Sequence, residues 1–321
     1  YLSQRTEVLM GLCYLLTLYA FARGRDVPAS RRWPIVSVFA CAAGMVSKES
    51  MVTAPVFVLL YDRTFVAGSL RAAWRQRRAY YLALAGTWLL LGFLLGTGLE
   101  RRQVGFGLGV SWWQYLLTEG QAVLLYLRLA VWPYPLVFDY GPAWLTPLAA
   151  APHVLGVVVL LAASAAAAVR RAAPGFAAIA FFVVLAPTSS VVPVALQPIA
   201  ENRVYLPLAA VAALGVVGLH ALAGRRALWI LLPVVPALIA CTFSRNATYA
   251  TATSLWTHTV AHRPRNPRAW DNQGMAFAAE GRFDQAINAY SRAIALNPAS
   301  AVSHVMMADA LRQSGRSEEA I

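Results

Sequence analysis

The chain has 321 residues, of which 59% are hydrophobic and only 13% charged, with a mean hydropathy of +0.55. Soluble domains carry about 45–50% apolar and about 25% charged residues, so a soluble enzyme of this size is excluded. The net charge of +13 does not read as a nucleic-acid surface, because the arginines stand between long apolar runs and share no polar face.

Apolar stretches of membrane-helix character run over 6–22, 34–46, 51–61, 79–98, 150–170, 174–188, 204–223 and 227–244. The second and third are short, since 13 residues rise only about 20 Å of a roughly 30 Å hydrocarbon core. Ser47-Lys48-Glu49-Ser50 interrupts them, so they form either a hairpin of short helices or one tilted helix carrying a buried ion pair. The stretch 112–133 is broken by Glu119, Gly120 and Arg128 and ends in Trp132-Pro133-Tyr134-Pro135; it reads as a helix lying at the membrane surface. Gly92 and Gly96 suit close helix packing. Cys13, Cys41 and Cys241 lie inside apolar runs and supply neither a disulfide framework nor a metal site. The sequence starts at Tyr1 and stops at Ile321 within a repeat, which reads as a fragment of a polytopic membrane protein.

Loop charges orient these helices, because cytoplasmic loops carry the Lys/Arg excess. One set holds 13 arginines (Arg23, Arg25, Arg31, Arg32, Arg63, Arg71, Arg75, Arg77, Arg78, Arg170, Arg171, Arg225 and Arg226) against Asp26 and Asp62. The opposite set balances six cations, Arg5, Lys48, Arg101, Arg102, Arg128 and Arg203, against the six acids Glu7, Glu49, Glu100, Glu119, Asp139 and Glu201. Residues 1–5 and everything after 245 are therefore expected on the extracytoplasmic side.

Past Arg245 a 34-residue period appears. Trp270, Gly274, Phe277, Ala286, Tyr290, Ala293 and Pro298 fall at tetratricopeptide positions, with Gln273 in place of the usual Leu. His304, Ala308, Leu311 and Ala320 repeat the pattern, Gly281-Arg282 returns as Gly315-Arg316, and Trp256 with Pro264 mark a half-repeat upstream. Each unit is a helix pair that buries its apolar face by stacking, so further repeats and a protein partner are expected. The organisation is thus all-α: a membrane domain over 1–245, then repeats over 246–321.

Charged groups inside a membrane cost about 2.5–3.5 kcal/mol even on insertion scales, so they pair or line a polar cavity. Lys48 beside Glu49 is either a loop charge pair near the headgroups or a cation set to meet a lipid phosphate. Arg203, in Glu201-Asn202-Arg203-Val204-Tyr205-Leu206-Pro207, has the fork of donors that suits phosphate oxygens; Glu201 is placed to orient it and Tyr205 to bond a sugar or phosphate oxygen. The alternative is a snorkelling arginine with a local carboxylate. Asp139, in an aromatic loop whose rings suit a sugar face, is a structural turn or a weak candidate base. His258 and His262 share a helix face without a third ligand, so no metal site is expected. The glycines at 105, 107 and 109 follow no strand and do not make a nucleotide loop.

Tyr1-Leu2-Ser3-Gln4-Arg5-Thr6-Glu7, Ser47-Lys48-Glu49-Ser50, Val137-Phe138-Asp139-Tyr140-Gly141 and Glu201–Pro207, followed by the repeats, resemble the transmembrane and tetratricopeptide repeat-containing (TMTC) family, in a bacterial form. The resemblance implies a C-type glycosyltransferase fold, incomplete at its N-terminus. It would move a sugar, typically mannose, from a polyprenyl phosphate to protein hydroxyls outside the inner membrane. Lys48, Arg203 and Arg5 would then hold the donor phosphate, supported by Glu7, Glu49, Glu201 and Tyr205. No further cofactor is implied. The acidic motif of the family would precede Tyr1, so this chain alone is expected to transfer no sugar. In the eukaryotic relatives the arginine directly follows the glutamate, whereas here Asn202 intervenes. The other reading is a non-enzymatic membrane-anchored scaffold recruiting envelope proteins.

Overall fold

The computed structural model describes residues 5–26, 31–96, 110–141, 144–170, 173–189, 193–194 and 197–320. The motif at 1–4, Glu100, Arg101, Arg102, the glycine run 105–109 and Arg171 lie outside the described residues. The described chain is all-helical, with no strand. It divides into two compact units: Tyr1–Trp132, Trp144–Ala195 and Asn202–Ala221 form one, and Pro133–Ala143, Leu196–Glu201 and Leu222–Ile321 the other. The second unit therefore takes in two loops and the chain from 222 to 245, besides the repeats.

In the first unit α1 (Arg5–Asp26) and α2 (Arg32–Ser47) form an antiparallel pair. The chain then breaks: Lys48 is extended (φ −160°, ψ 143°), a 3-10 turn covers Glu49–Thr53, and α3 (Ala54–Asp62) runs into a π-helical turn at Arg63–Ala67. Of the two arrangements open from the sequence, the structure has the broken one. The long α4 (Leu70–Gly96) returns, and Met10, Tyr14, Phe21, Met45, Met51, Val58, Tyr81 and Leu84 fill the core between these helices. Packing there is close at Gly44, where a Cβ would stand 2.6 Å from the Met51 sulfur. At Gly92 and Gly96, by contrast, a Cβ would meet nothing within 4 Å, so the helix contact expected there is not made among the described residues.

The amphipathic α5 (Trp112–Val131) buries Tyr115, Thr118, Glu119, Ala122, Val123, Tyr126 and Leu129, an i, i+3, i+4, i+7 face, and exposes Trp112 and Trp113. It is capped by the Ser111 hydroxyl, which accepts from the Gln114 amide. The helices α6 (Pro147–Val169) and α7 (Ala173–Leu185) follow, and α8 (Pro207–Ala223) closes the unit. Only 6% of the most apolar window is buried in α6 and in the run Pro207–Leu231, so their leucines and valines face outward. Such surfaces suit lipid, where apolar exposure carries no penalty. Among the described residues, five helical runs are long and apolar enough to cross a membrane: Arg5–Asp26, Glu49–Ala67, Leu70–Gly96, Pro147–Val169 and Pro207–Leu231. The expected span 227–244 is instead two pieces, α9 (Ala227–Leu231) and α10 (Val234–Thr248), interrupted just before Val234 by Pro233, which has no amide to donate.

In the second unit α11 (Ala252–His262) starts at a capping box made by Thr251 and Ser254 and supplies the half-repeat. It packs on α12 (Pro267–Ala279), which pairs with α13 (Phe283–Leu296) and then α14 (Ala301–Gln313). Gly274 is required here: a Cβ would stand 2.5 Å from the Tyr290 ring that fills its place. Gly281 and Gly315, 34 residues apart, both turn with positive φ (74° and 82°), as the repeat demands. Gln273 replaces leucine because its amide nitrogen donates to the Thr257 hydroxyl (3.1 Å).

Candidate functional site

The first unit carries polar groups at the two ends of its apolar helices. At one end Asp62, fully buried, accepts from Arg77 Nη1 (2.9 Å) and the Tyr81 hydroxyl (2.6 Å), while Arg63 donates to the Ala168 and Val169 carbonyls that close α6. This end is also where α1 finishes, with the Arg23–Asp26 pair.

The other end gathers most of the residues singled out from the sequence. Glu7, buried in the first turn of α1, accepts from Lys48 Nζ and from the Asn202 amide (2.7 Å). Lys48 thus pairs with Glu7 and not with the adjacent Glu49, because neighbouring residues along a chain do not face each other and the helix break swings Lys48 across to α1. Asn202, the residue that separates Glu201 from Arg203, fastens the 3-10 turn Glu201–Val204 to α1. Arg5 is exposed at the start of α1. Tyr205 is largely exposed, and its ring lies against Gly11, 3.2 Å from where a Cβ would be.

One residue further, Arg203 turns into α5. Its Nη1 donates to Glu119 Oε1 (3.3 Å), the Tyr115 hydroxyl (3.2 Å) and the Thr188 carbonyl (3.0 Å), and its side chain is 5% exposed. The carboxylate that orients Arg203 is therefore Glu119, not Glu201. In a 3-10 turn with three residues per turn, positions 201 and 203 point different ways. Glu201 belongs to the other unit, where it accepts from the Val137 amide (2.5 Å) and the Tyr140 hydroxyl (2.7 Å) and lies 3.9 Å from Arg245. Burial raises the Glu201 carboxyl above its ordinary value, against the pull of those partners.

Glu119 is the residue that sequence reasoning passed over as a helix interruption. It is 1% exposed, its Oε2 is buried without a hydrogen-bond partner, and burial pushes its carboxyl up to about 7 despite Arg203. The signal was present: a lone acid on the apolar face of an amphipathic helix needs a cation, and Arg203 is the one that reaches it.

An apolar groove adjoins these clusters, a cavity of about 310 Å³ lined by α1, α3, α7 and α8, with Tyr14, Phe57, Phe176, Leu206 and Val217 on its walls. The stretch 202–206 joins the two: Asn202 binds the Glu7–Lys48 pair, Tyr205 covers Gly11, and Leu206 lines the groove.

Asp139 lies in the other unit. Its Oδ1 accepts from the Gly141 amide (2.9 Å) in an Asx turn, and both oxygens take the Arg268 fork (2.6 and 2.7 Å). Phe138, expected to offer its ring to a sugar, meets Trp256 and Tyr249 edge-on instead, at 5.3 and 6.0 Å. The loop 133–141 is thus fastened to the first repeat helices. No group of His, Cys, Asp and Glu that could hold a metal occurs among the described residues.

No curated protein and no solved structure matches the chain. Residues 267–300 match the family described as tetratricopeptide repeat, in agreement with the period read from Trp270 to Pro298, and the chain carries this repeat behind a set of membrane-length helices.

Proposed function

We propose that the chain is a membrane-anchored glycosyltransferase-like protein that takes a polyprenyl-phosphate sugar in its helical unit and offers a protein acceptor on its repeats, outside the membrane. The observation that carries this reading is the continuity of the Glu7–Lys48–Asn202 cluster with the apolar groove through Tyr205 and Leu206. A charged head beside an apolar trough suits an amphiphile with an anionic headgroup. Lys48, Arg203 and Arg5 are the cations for its phosphate, and Glu7 and Glu119 hold Lys48 and Arg203 until phosphate exchanges with them. In the transfer the acceptor oxygen bonds to the anomeric carbon, the carbon–phosphate oxygen bond breaks, and polyprenyl phosphate leaves. The hydroxyl proton passes to the leaving phosphate, and Asp139 stays committed to Arg268 in the other unit. The balance of loop arginines supports an extracytoplasmic placing of the repeats. The test is photocrosslinking of the full chain with a photoreactive polyprenyl phosphate. Labelling of the α7–α8 groove, competed by unlabelled lipid and weakened about tenfold in Lys48→Gln, is the expected outcome. Labelling that neither competes nor responds to Lys48 refutes the reading.

The second reading, a scaffold that recruits envelope proteins without catalysis, is favoured by one observation: Lys48 and Arg203 both already hold carboxylate partners. The tetratricopeptide repeat is a protein-interaction unit in either case.

A further inference from the structure

At the end of the first unit marked by Arg63, the long α4 does not begin as a straight helix. Arg77 leaves helical geometry (φ −135°, ψ 29°), so the turns at 70–76 take a different direction from the apolar run that follows. The kink is held from within the bundle. Arg77 Nη1 donates to both oxygens of the buried Asp62 (3.1 and 2.9 Å), and its guanidinium lies 5.9 Å from the Phe21 ring centre. Ala73 is fully buried on the inner side of these turns, and the Trp74 ring stacks 6.3 Å from Tyr81.

The outer side of the same turns is basic. Arg71 and Arg75, four residues apart, share one exposed face, and Arg78 is exposed just past the kink, where the apolar part of α4 begins. Beside them Leu70 and Trp74, also four apart, are 48% and 47% exposed. Both acids described at this end are committed elsewhere, Asp62 to Arg77 and Tyr81, and Asp26 to Arg23. Among the described residues, Arg71, Arg75 and Arg78 therefore have no carboxylate within ion-pair distance. A solvated helix end does not call for an exposed indole among its arginines. A basic face bordered by tryptophan, directly before a run long and apolar enough to cross a membrane, is the pattern of a segment lying at a membrane boundary.

We infer that the face formed by Arg71, Arg75, Arg78 and Trp74 docks on anionic phospholipid headgroups of the leaflet at this end. Clustered arginines immediately outside a membrane helix meet the negative surface of such a leaflet, and each guanidinium fork matches two free oxygens of a phosphodiester. The indole belongs at headgroup level, with Leu70 beside it toward the acyl chains. Because Asp62 fixes the kink, the cations are presented at a set angle to the span and not on a loose arm. The inference rests on α4 crossing the membrane. It is independent of the Lys48 and Arg203 clusters and of sugar transfer.

The test places the full chain in nanodiscs of phosphatidylcholine with a minor share of phosphatidylglycerol and counts the lipids it retains by native mass spectrometry. Phosphatidylglycerol is expected to be retained in preference to phosphatidylcholine, less strongly as salt rises. Arg71→Gln, Arg75→Gln and Arg78→Gln together should lower that preference about tenfold or more, since one arginine near an anionic surface is worth about fivefold. Arg71→Lys, Arg75→Lys and Arg78→Lys together keep the charge and should stay within about threefold of wild type. The exposed Arg25, Arg31 and Arg32 supply the control: Arg25→Gln, Arg31→Gln and Arg32→Gln remove equal charge nearby and should lower the preference about twofold at most. If the glutamine variant does not insert, a photoactivatable phosphatidylglycerol in wild-type discs should label residues 70–78. Wild type that does not enter the discs overturns the membrane placing and the inference with it. Wild type that enters without preference, a control loss as large as that of the face, a lysine variant as impaired as the glutamine one, or labelling only elsewhere overturns the inference alone.

Discussion

At Glu119 a carboxylate is held where water does not reach, and its protonation follows from that. Its ordinary value of 4.5 rises to about 7, burial outweighing the pull of Arg203 and Tyr115. An acid whose value is raised by folding binds more protons in the folded state than in the unfolded one. Stability therefore falls as pH rises from 4.5 to about 7 and is flat above that. The difference corresponds to about 3 kcal/mol. Glu119→Gln should remove this decline, so that wild type and variant diverge below neutral pH when chemical denaturation is followed across the window. Identical slopes would show that Glu119 titrates normally. Ionised Glu119 also holds Arg203 most firmly at neutral pH and above, so any phosphate binding by Arg203 should strengthen on acidification through the same window.

Among the elements, α12–α13 and α6–α7 each depend on the absence of one side chain. In the repeat, Gly274 admits the Tyr290 ring; in the first unit, an added Cβ at Gly175 would stand 2.3 Å from the Ala167 carbonyl carbon. The obstacle at Gly274 is a side chain that can give a little, whereas at Gly175 it is backbone. Gly274→Ala should cost about 1–3 kcal/mol, and Gly175→Ala more, because two helices must move apart. Gly92→Ala, facing open space, should be neutral or slightly stabilising through helix propensity, about 1 kcal/mol at most. Melting temperatures of the three variants rank these costs, and a harmless Gly175→Ala would refute the packing described.

For the whole molecule, the parts legible in the sequence were those with a period or a length. The 34-residue repeat, its turn glycines Gly281 and Gly315 and most of the apolar runs followed from spacing alone. Partner choice was not legible. Lys48 lies next to Glu49 but binds Glu7, 41 positions away, and Arg203 lies near Glu201 but binds Glu119, 84 positions away. Such pairings are settled by which helix ends meet, and chain proximity is a poor guide when adjacent residues face different ways. Asp139 and Arg268, 129 positions apart, are the same lesson in the repeat unit.

That last ion pair also counts membrane crossings. Two groups in contact lie on one side of a bilayer, so the chain between Asp139 and Arg268 crosses an even number of times. The stretch contains two long apolar runs, Pro147–Val169 and Pro207–Leu231, and two shorter helices, α7 and α10. If both long runs cross, α7 and α10 cross together or neither does. Now α7 begins beside Ala167, at the end of the unit marked by Arg63, and the segment after it delivers Thr188 to Arg203 at the opposite end. It traverses the unit, and parity then obliges α10 to traverse as well, short and interrupted at Pro233 though it is. Reporters fused after Arg226 and after Ile321 should accordingly read opposite sides. If both read the same side, α10 does not cross, and either α7 does not traverse or the Asp139–Arg268 clasp does not form.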